Sequence, residues 1–140
     1  FDVLPWRDGE SVQMGALDVL PVAVNHPTES YGLRFTDPSG AVFVFSGDTG
    51  VCDSVVELAR DADVFLCEAS WTDSPDRPPK LHLSGTEAGR AAREAGVKEL
   101  LLTHIPPWTS REDVISEAKA EFDGPVHGVV CNESFDITRR

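Results

Sequence analysis

Three short apolar runs, separated by segments with helical signals, constrain the fold of this chain more than any other feature. They occupy residues 41–47, 63–70 and 97–104, and each is apolar at consecutive positions. Runs of this kind are typical of strands that are buried on both faces of a parallel sheet. The intervening segments, 52–62 and 84–96, have the apolar spacing or the capping residues of helices. The sequence therefore predicts an α/β fold with helices over at least one face of a sheet.

Boundary signals define two of the predicted helices. Ser84 and Glu87 have the spacing of a capping box, and Gly96 is a natural stop for the helix that the box opens. A later helix is expected to begin at Thr109 or Ser110 and to run through Phe122, before Gly-Pro ends it.

A hairpin is predicted before the first helix. Residues 31–37 and 41–47 are joined by Asp-Pro-Ser-Gly at 37–40, which has the residue types of a type I turn. The other predicted strands are a β-type segment at 12–26, a last core strand at 126–130 and an edge strand at 133–137.

Composition bounds the class of protein. A chain of 140 residues is long enough for one domain with a core. Its net charge of −12 opposes non-specific binding to phosphate backbones, and no basic run offsets this charge. We expect reduced cysteines and a cytoplasmic location, because the three cysteines form no CxxC pair and no stretch resembles a signal peptide or a membrane span. The chain starts at Phe1 without a methionine, and we expect it to be a piece of a longer protein.

Four groups capable of metal binding or proton transfer lie at the ends of predicted strands or in their connections. Asp48, Glu68 and His104 each follow an apolar run, and His82 precedes the capping box. Functional groups of α/β sheets collect beyond the carboxyl ends of the strands, because the loops there converge. Aspartate and neutral histidine suit Zn²⁺ or Mn²⁺.

Each group also has an ordinary structural interpretation. Asp48 could accept backbone hydrogen bonds in its turn, and Glu68 could be a solvated carboxylate. His82 could bond to its own helix N-terminus, and His104 could be a packed histidine. A serine nucleophile is less well supported, because no serine lies in a G-x-S-x-G elbow.

Four motifs together resemble a known family. "NHPTESYGLRF", "FSGDTG", "CEASW" and "HLSGTEAGRAAREAGVKELLLTH" occur in this order between His26 and His104. They resemble the C-terminal half of metallo-β-lactamase-fold hydrolases, and most of all the ribonuclease Z-like and actinobacterial cyclic-nucleotide phosphodiesterases. The resemblance extends to about Val130. It implies the C-terminal half of an αββα sandwich, a mixed sheet with helices on one face, with residues 1–140 forming a single domain.

The resemblance also implies roles for individual residues. Two divalent metal ions are expected in the full-length parent, zinc first and manganese as the alternative. Asp48 resembles the carboxylate that bridges the two metals, and His104 resembles a terminal ligand of the second. His82 resembles the proton donor to the leaving group, with Glu68 as its orienting partner. The candidates on the substrate side of the cleft are His26, Ser30 and Tyr31.

The chain departs from the family pattern in one respect. The family's HxHxDH motif belongs to an N-terminal half, and none of the four histidines here lies in an HxH or DH pair. We therefore expect partial or no metal occupancy and no activity for this chain alone, although its parent is expected to be an enzyme. His127 is expected to be an ordinary strand or surface histidine.

Partners follow from the same considerations. One face of the sheet is expected to need cover, either from the missing N-terminal half or from a second copy of the chain. The expected substrate is a small phosphodiester such as a cyclic nucleotide, with an RNA 3′ end less favoured because of the acidic charge, and no membrane is expected. The alternative is a non-catalytic α/β binding or assembly module that keeps the fold without metal.

Overall fold

The computed structural model describes residues 3–140, so the expectation about the start at Phe1 lies outside the described residues. In the described part of the chain, seven strands form one sheet in sequential order, β1 to β7, and three helices connect its second half. The elements are β1 (Val12–Met14), β2 (Leu17–Ala23), β3 (Tyr31–Thr36), β4 (Val42–Phe45), α1 (Asp53–Ala59), β5 (Val64–Glu68), α2 (Gly85–Ala95), β6 (Leu100–Thr103), α3 (Arg111–Glu121) and β7 (Val126–Gly128).

The sheet is mixed, as predicted. Strands β1 to β4 pair antiparallel, and β4 to β7 pair parallel. The predicted hairpin joins β3 to β4, and its turn is fixed by the Asp37 carboxylate, which accepts hydrogen bonds from the backbone N–H of Ser39 and Ala41 at 2.8 and 2.9 Å. The 12–26 segment is a second hairpin, in which Gly15 at φ 63° opens a two-residue turn between paired Met14 and Leu17.

All three helices lie on one face of the sheet. The parallel strands advance in one direction, and right-handed crossovers then place every connecting helix on the same side. Alternate strand residues such as Val44, Phe65 and Leu102 form the core against this helical layer. Their neighbours Phe43, Phe45 and Leu66 therefore belong to the opposite face, where they are only half-buried.

The helix boundaries confirm the capping predictions. Ser84 and Glu87 form the capping box at the start of α2, and Gly96 ends the helix at φ 68°. Ser110 caps α3 by accepting a hydrogen bond from the Asp113 N–H, and Phe122 ends that helix.

Helix α1 is shorter than predicted. It ends at Ala59 and not at residue 62, because Arg60 has ψ 124° and Asp61 has φ 55°, and the Arg34 guanidinium donates to the carbonyls of Leu58 and Arg60 at 2.7 and 2.9 Å. These carbonyls lie at the end of the helix, where the helix itself supplies them no partner.

The 133–137 segment does not form an edge strand. It belongs to a tail that crosses the sheet, with Ile137 beside Phe35 and Phe43. The tail ends where the Arg140 backbone N–H donates to Asp63 at 2.7 Å and the Arg140 guanidinium pairs with Glu99 at 2.7 Å. These contacts take the tail across the sheet instead of along its edge.

No helix within residues 3–140 is both long and apolar enough to cross a membrane. His127 lies in β7 with an exposed side chain, in agreement with the ordinary role expected for it.

Candidate active site

The loop after β4 places Asp48 at the carboxyl edge of the sheet. Gly47 has φ 65°, and a Cβ atom there would lie 2.4 Å from the Tyr31 carbonyl oxygen, so the turn requires glycine. The Ser30 hydroxyl donates to the Asp48 carbonyl at 2.8 Å and holds the loop from the other side. The Asp48 carboxylate itself remains half-exposed.

Glu68, at the end of β5, is fully buried. Its carboxylate accepts hydrogen bonds from the backbone N–H groups of Thr49, Ser70 and Leu83 at 3.0 to 3.3 Å, and the Ser70 Oγ lies 3.3 Å from Oε2. Burial raises the pKa of Glu68, and the bonds from Thr49 and His82 oppose that rise. The solvated interpretation of this carboxylate is therefore wrong.

The His82 ring is hydrogen-bonded to the Glu68 carboxylate. Its Nδ1 lies 2.8 Å from Glu68 Oε1, and its side chain is 16% exposed. The other ring nitrogen, Nε2, is therefore the one free to act on a ligand. This arrangement matches the predicted pairing of a proton donor with an orienting carboxylate, and the roles themselves remain predictions.

His104 follows β6 with φ 58°, a left-handed conformation that is uncommon outside glycine. Ser70 holds it there, because the serine hydroxyl donates to the His104 carbonyl at 3.0 Å and lies 3.2 Å from Nδ1. His104 Nδ1 is 3.3 Å from Asp48 Oδ1, so the two predicted metal ligands meet across neighbouring loops.

These side chains form one cluster of potential metal ligands. The ligand atoms of His26, Asp48 and His82 lie within 4.8 Å of one another, and so do those of Glu68, His82 and His104. Imidazole nitrogens with a half-exposed carboxylate are a donor set that fits Zn²⁺ or Mn²⁺. The oxygens of Glu68 are already occupied by protein donors, whereas the Asp48 carboxylate is half-exposed.

The three substrate-side candidates are placed differently. The His26 ring lies 5.6 Å from the His82 ring, within the cluster. Ser30 supports the backbone of the Asp48 loop. The Tyr31 hydroxyl donates to Glu29 at 2.8 Å, and among residues 3–140 no hydrogen bond joins it to the imidazoles.

Ser70 is the member of the site that sequence reasoning missed. Its hydroxyl contacts both Glu68 and His104. Its position two residues beyond the strand-end glutamate, inside the "CEASW" motif, was the available signal.

Comparison with known proteins identifies the family. Residues 2–105 match the family described as "Beta-lactamase superfamily domain". A probable metallo-hydrolase of Bacillus subtilis (strain 168), YhfI, is 32% identical over 124 residues, which are 89% of this chain and 50% of YhfI. The chain belongs to the metallo-β-lactamase superfamily. The crystal structure of YhfI superposes with a TM-score of 0.82 over 89% of this chain and 51% of that one, at 31% identity.

Two other relatives are informative. An uncharacterized protein of Mycobacterium leprae (strain TN) is 78% identical over 98% of this chain and 48% of its own length. A ribonuclease Z of Thermobifida fusca (strain YX) is 40% identical over 62% of this chain and 29% of its own length. The chain thus spans about half the length of the first relatives that it matches. The superfamily includes metal-dependent hydrolases, and this membership implies binding of divalent metal.

Proposed function

We propose that the full-length protein containing this chain is a metal-dependent phosphodiesterase. The observation that carries the proposal is the convergence of Asp48, His82 and His104 at one edge of the sheet, with the Glu68 carboxylate 2.8 Å behind His82. Asp48 and His104 would hold divalent ions together with ligands from outside this chain. Ions at such a site supply Lewis-acid stabilisation of the negative charge on a phosphodiester.

In this proposal, residues of this chain supply the proton that the leaving group of the substrate needs. Glu68 accepts a hydrogen bond from the Nδ1–H of His82 and so fixes the orientation of the imidazole. His82 Nε2 then donates a proton to the leaving oxygen of the substrate, the role of a general acid. Ser70 holds the His104 backbone in its left-handed conformation, which keeps the His104 ring beside Asp48.

A small phosphodiester such as a cyclic nucleotide is the proposed substrate. The net charge of −12 disfavours a long polyanion, because no basic run compensates it. The ribonuclease Z relative supports an RNA 3′ end as the second candidate. Since this chain contributes only part of a two-metal ligand set, we expect the 140 residues alone to be inactive.

The test uses the full-length protein and its Asp48→Ala variant. We expect Asp48→Ala to lose bound metal and hydrolysis of bis(p-nitrophenyl) phosphate, with unchanged circular dichroism. Asp123→Ala, at an exposed position after α3, is the matched control and should retain both. Full activity of Asp48→Ala contradicts the assignment, and a wild-type protein with neither metal nor hydrolysis favours the non-catalytic alternative.

A further inference from the structure

A cavity of about 420 Å³ adjoins the candidate active site. His82, Asn25 and Val51 line one side of it, and the proline-rich loop 74–80 lines the other. The cavity shares His82 with the candidate active site, whereas Asp48 and His104 are not among its lining residues.

Two basic residues line the cavity, Arg77 and Lys80, and they differ in whether a carboxylate pairs with them. Arg77 is neutralised, because its guanidinium donates to Glu87 at 2.8 and 3.0 Å and to Asp73 at 2.9 Å. Lys80 is exposed, and among residues 3–140 no carboxylate lies within 4 Å of its ammonium group. In a chain of net charge −12, Lys80 is a cation in the lining of this cavity for which the described residues supply no carboxylate partner.

The backbone of Lys80 is fixed against the loop that carries Asp48. A Cβ atom on Gly50 would lie 2.7 Å from Lys80 Cα, so the two backbones are in direct contact. Lys80 also has φ 60°, where a side chain costs about 1 kcal/mol or more and glycine costs nothing. Strained backbone conformations of this kind persist where the surrounding structure fixes them, and they cluster at ligand-binding and catalytic sites.

We propose that Lys80 is a substrate-binding residue, whose ammonium group binds a non-reacting phosphodiester oxygen in this cavity. The inference rests on the proposed function and adds a specificity-determining contact to it. Lys80 contacts the anion and transfers no proton, so its loss should raise KM more than it lowers kcat. The cavity would then select an anionic diester over a neutral ester.

The experiment compares Lys80→Gly, Lys80→Ala and Lys80→Arg in the full-length protein, with bis(p-nitrophenyl) phosphate as the substrate. KM should rise about tenfold in the glycine and alanine variants, the size of one charge-assisted hydrogen bond, with kcat within about twofold. Lys80→Arg should restore KM. Lys119→Ala removes the same charge from the exposed face of α3 and should leave KM unchanged.

Lys80→Gly separates binding from folding, because glycine accepts the left-handed backbone without strain. Its melting temperature should equal or exceed that of the wild type. An unchanged KM in Lys80→Gly, or a KM that rises only together with a lower melting temperature, overturns the inference.

Failure of the proposed function can be distinguished from failure of this inference. If the wild type does not hydrolyse the diester, calorimetric titration with inorganic phosphate still tests Lys80. Binding about tenfold weaker in Lys80→Gly than in Lys119→Ala supports the assignment of Lys80. Equal binding by the two variants contradicts it.

Discussion

His82 is held so that only one of its nitrogens can serve a substrate. Its Nδ1 is engaged by Glu68, and Glu68 is fixed in turn by the backbone N–H groups of Thr49, Ser70 and Leu83. A carboxylate with this many donors cannot rotate without leaving buried polar groups unpaired, which costs about 1–3 kcal/mol for each group. The orientation of the imidazole is therefore determined by the fold before any ligand binds.

His82→Ala in the full-length protein separates two roles that the geometry allows. His82 belongs to both three-residue groups of potential ligands within the cluster, yet its contact with Glu68 favours a role as general acid. We expect kcat to fall about 10²- to 10⁴-fold, the usual contribution of a positioned acid, with metal content unchanged. Steady-state kinetics together with elemental analysis measure the two quantities. Loss of metal in parallel with activity would show that His82 is a ligand.

Helices α2 and α3 approach each other through glycine. A Cβ atom at Gly89 would lie 2.5 Å from the Ala118 carbonyl oxygen, and one at Gly85 would lie 2.2 Å from the Val114 carbonyl oxygen. No flexible side chain can move aside here, because the opposing atoms belong to the backbone. This contact sets the separation of the two helices over the core.

Gly89→Ala tests the helix contact. Alanine favours a helix over glycine by about 1 kcal/mol, so an open site would be stabilised. At Gly89 we expect the free energy of unfolding to fall by about 1–3 kcal/mol instead, because the added methyl group forces α2 and α3 apart. Urea denaturation of the full-length protein measures the change. Ser116→Ala, on the exposed face of α3, should be within about 0.5 kcal/mol of the wild type, and a Gly89→Ala variant as stable as that control contradicts the expectation.

Local signals predicted the elements, and long-range contacts account for what the sequence did not reveal. The capping box of α2 and the turn at 37–40 depend on residues two to four positions apart, which a sequence displays directly. The Leu58 carbonyl, at the end of α1, accepts a hydrogen bond from Arg34, which is 24 residues earlier. Ser70 reaches His104 across 34 residues, and Arg140 reaches Asp63 across 77. Such contacts exist only once the sheet has assembled.

The chain has a larger solvent-accessible surface than is typical of a folded monomer of its mass. Its accessible surface is 7986 Å², whereas a folded monomer of 15.2 kDa exposes about 7,100 Å². The face of the sheet opposite the helices contributes to this excess, because Leu33, Phe35, Phe43, Phe45 and Leu66 are only half-buried there. The tail covers part of this face through Ile137, beside an apolar cavity of about 310 Å³. Elsewhere on this face Leu33, Phe45 and Leu66 stay half-buried, whereas Leu101 is 3% exposed.

We propose that the face of the sheet opposite the helices packs against protein outside this chain. The isolated 140 residues are consequently expected to self-associate through it. The chain spans about half of its relatives, and in the full-length protein the remaining half would cover Phe43, Phe45 and Leu66. At ~25 cal/mol per Å², a few hundred Å² of uncovered apolar surface forgoes several kcal/mol, comparable with the stability of a whole domain. We expect sedimentation velocity of the purified chain to show dimers or larger species at micromolar concentration. Phe43→Ser with Phe45→Ser should shift these species toward monomer, whereas Lys119→Ala should leave them unchanged. A well-folded wild-type monomer that binds no hydrophobic dye would show instead that the tail covers enough of the sheet.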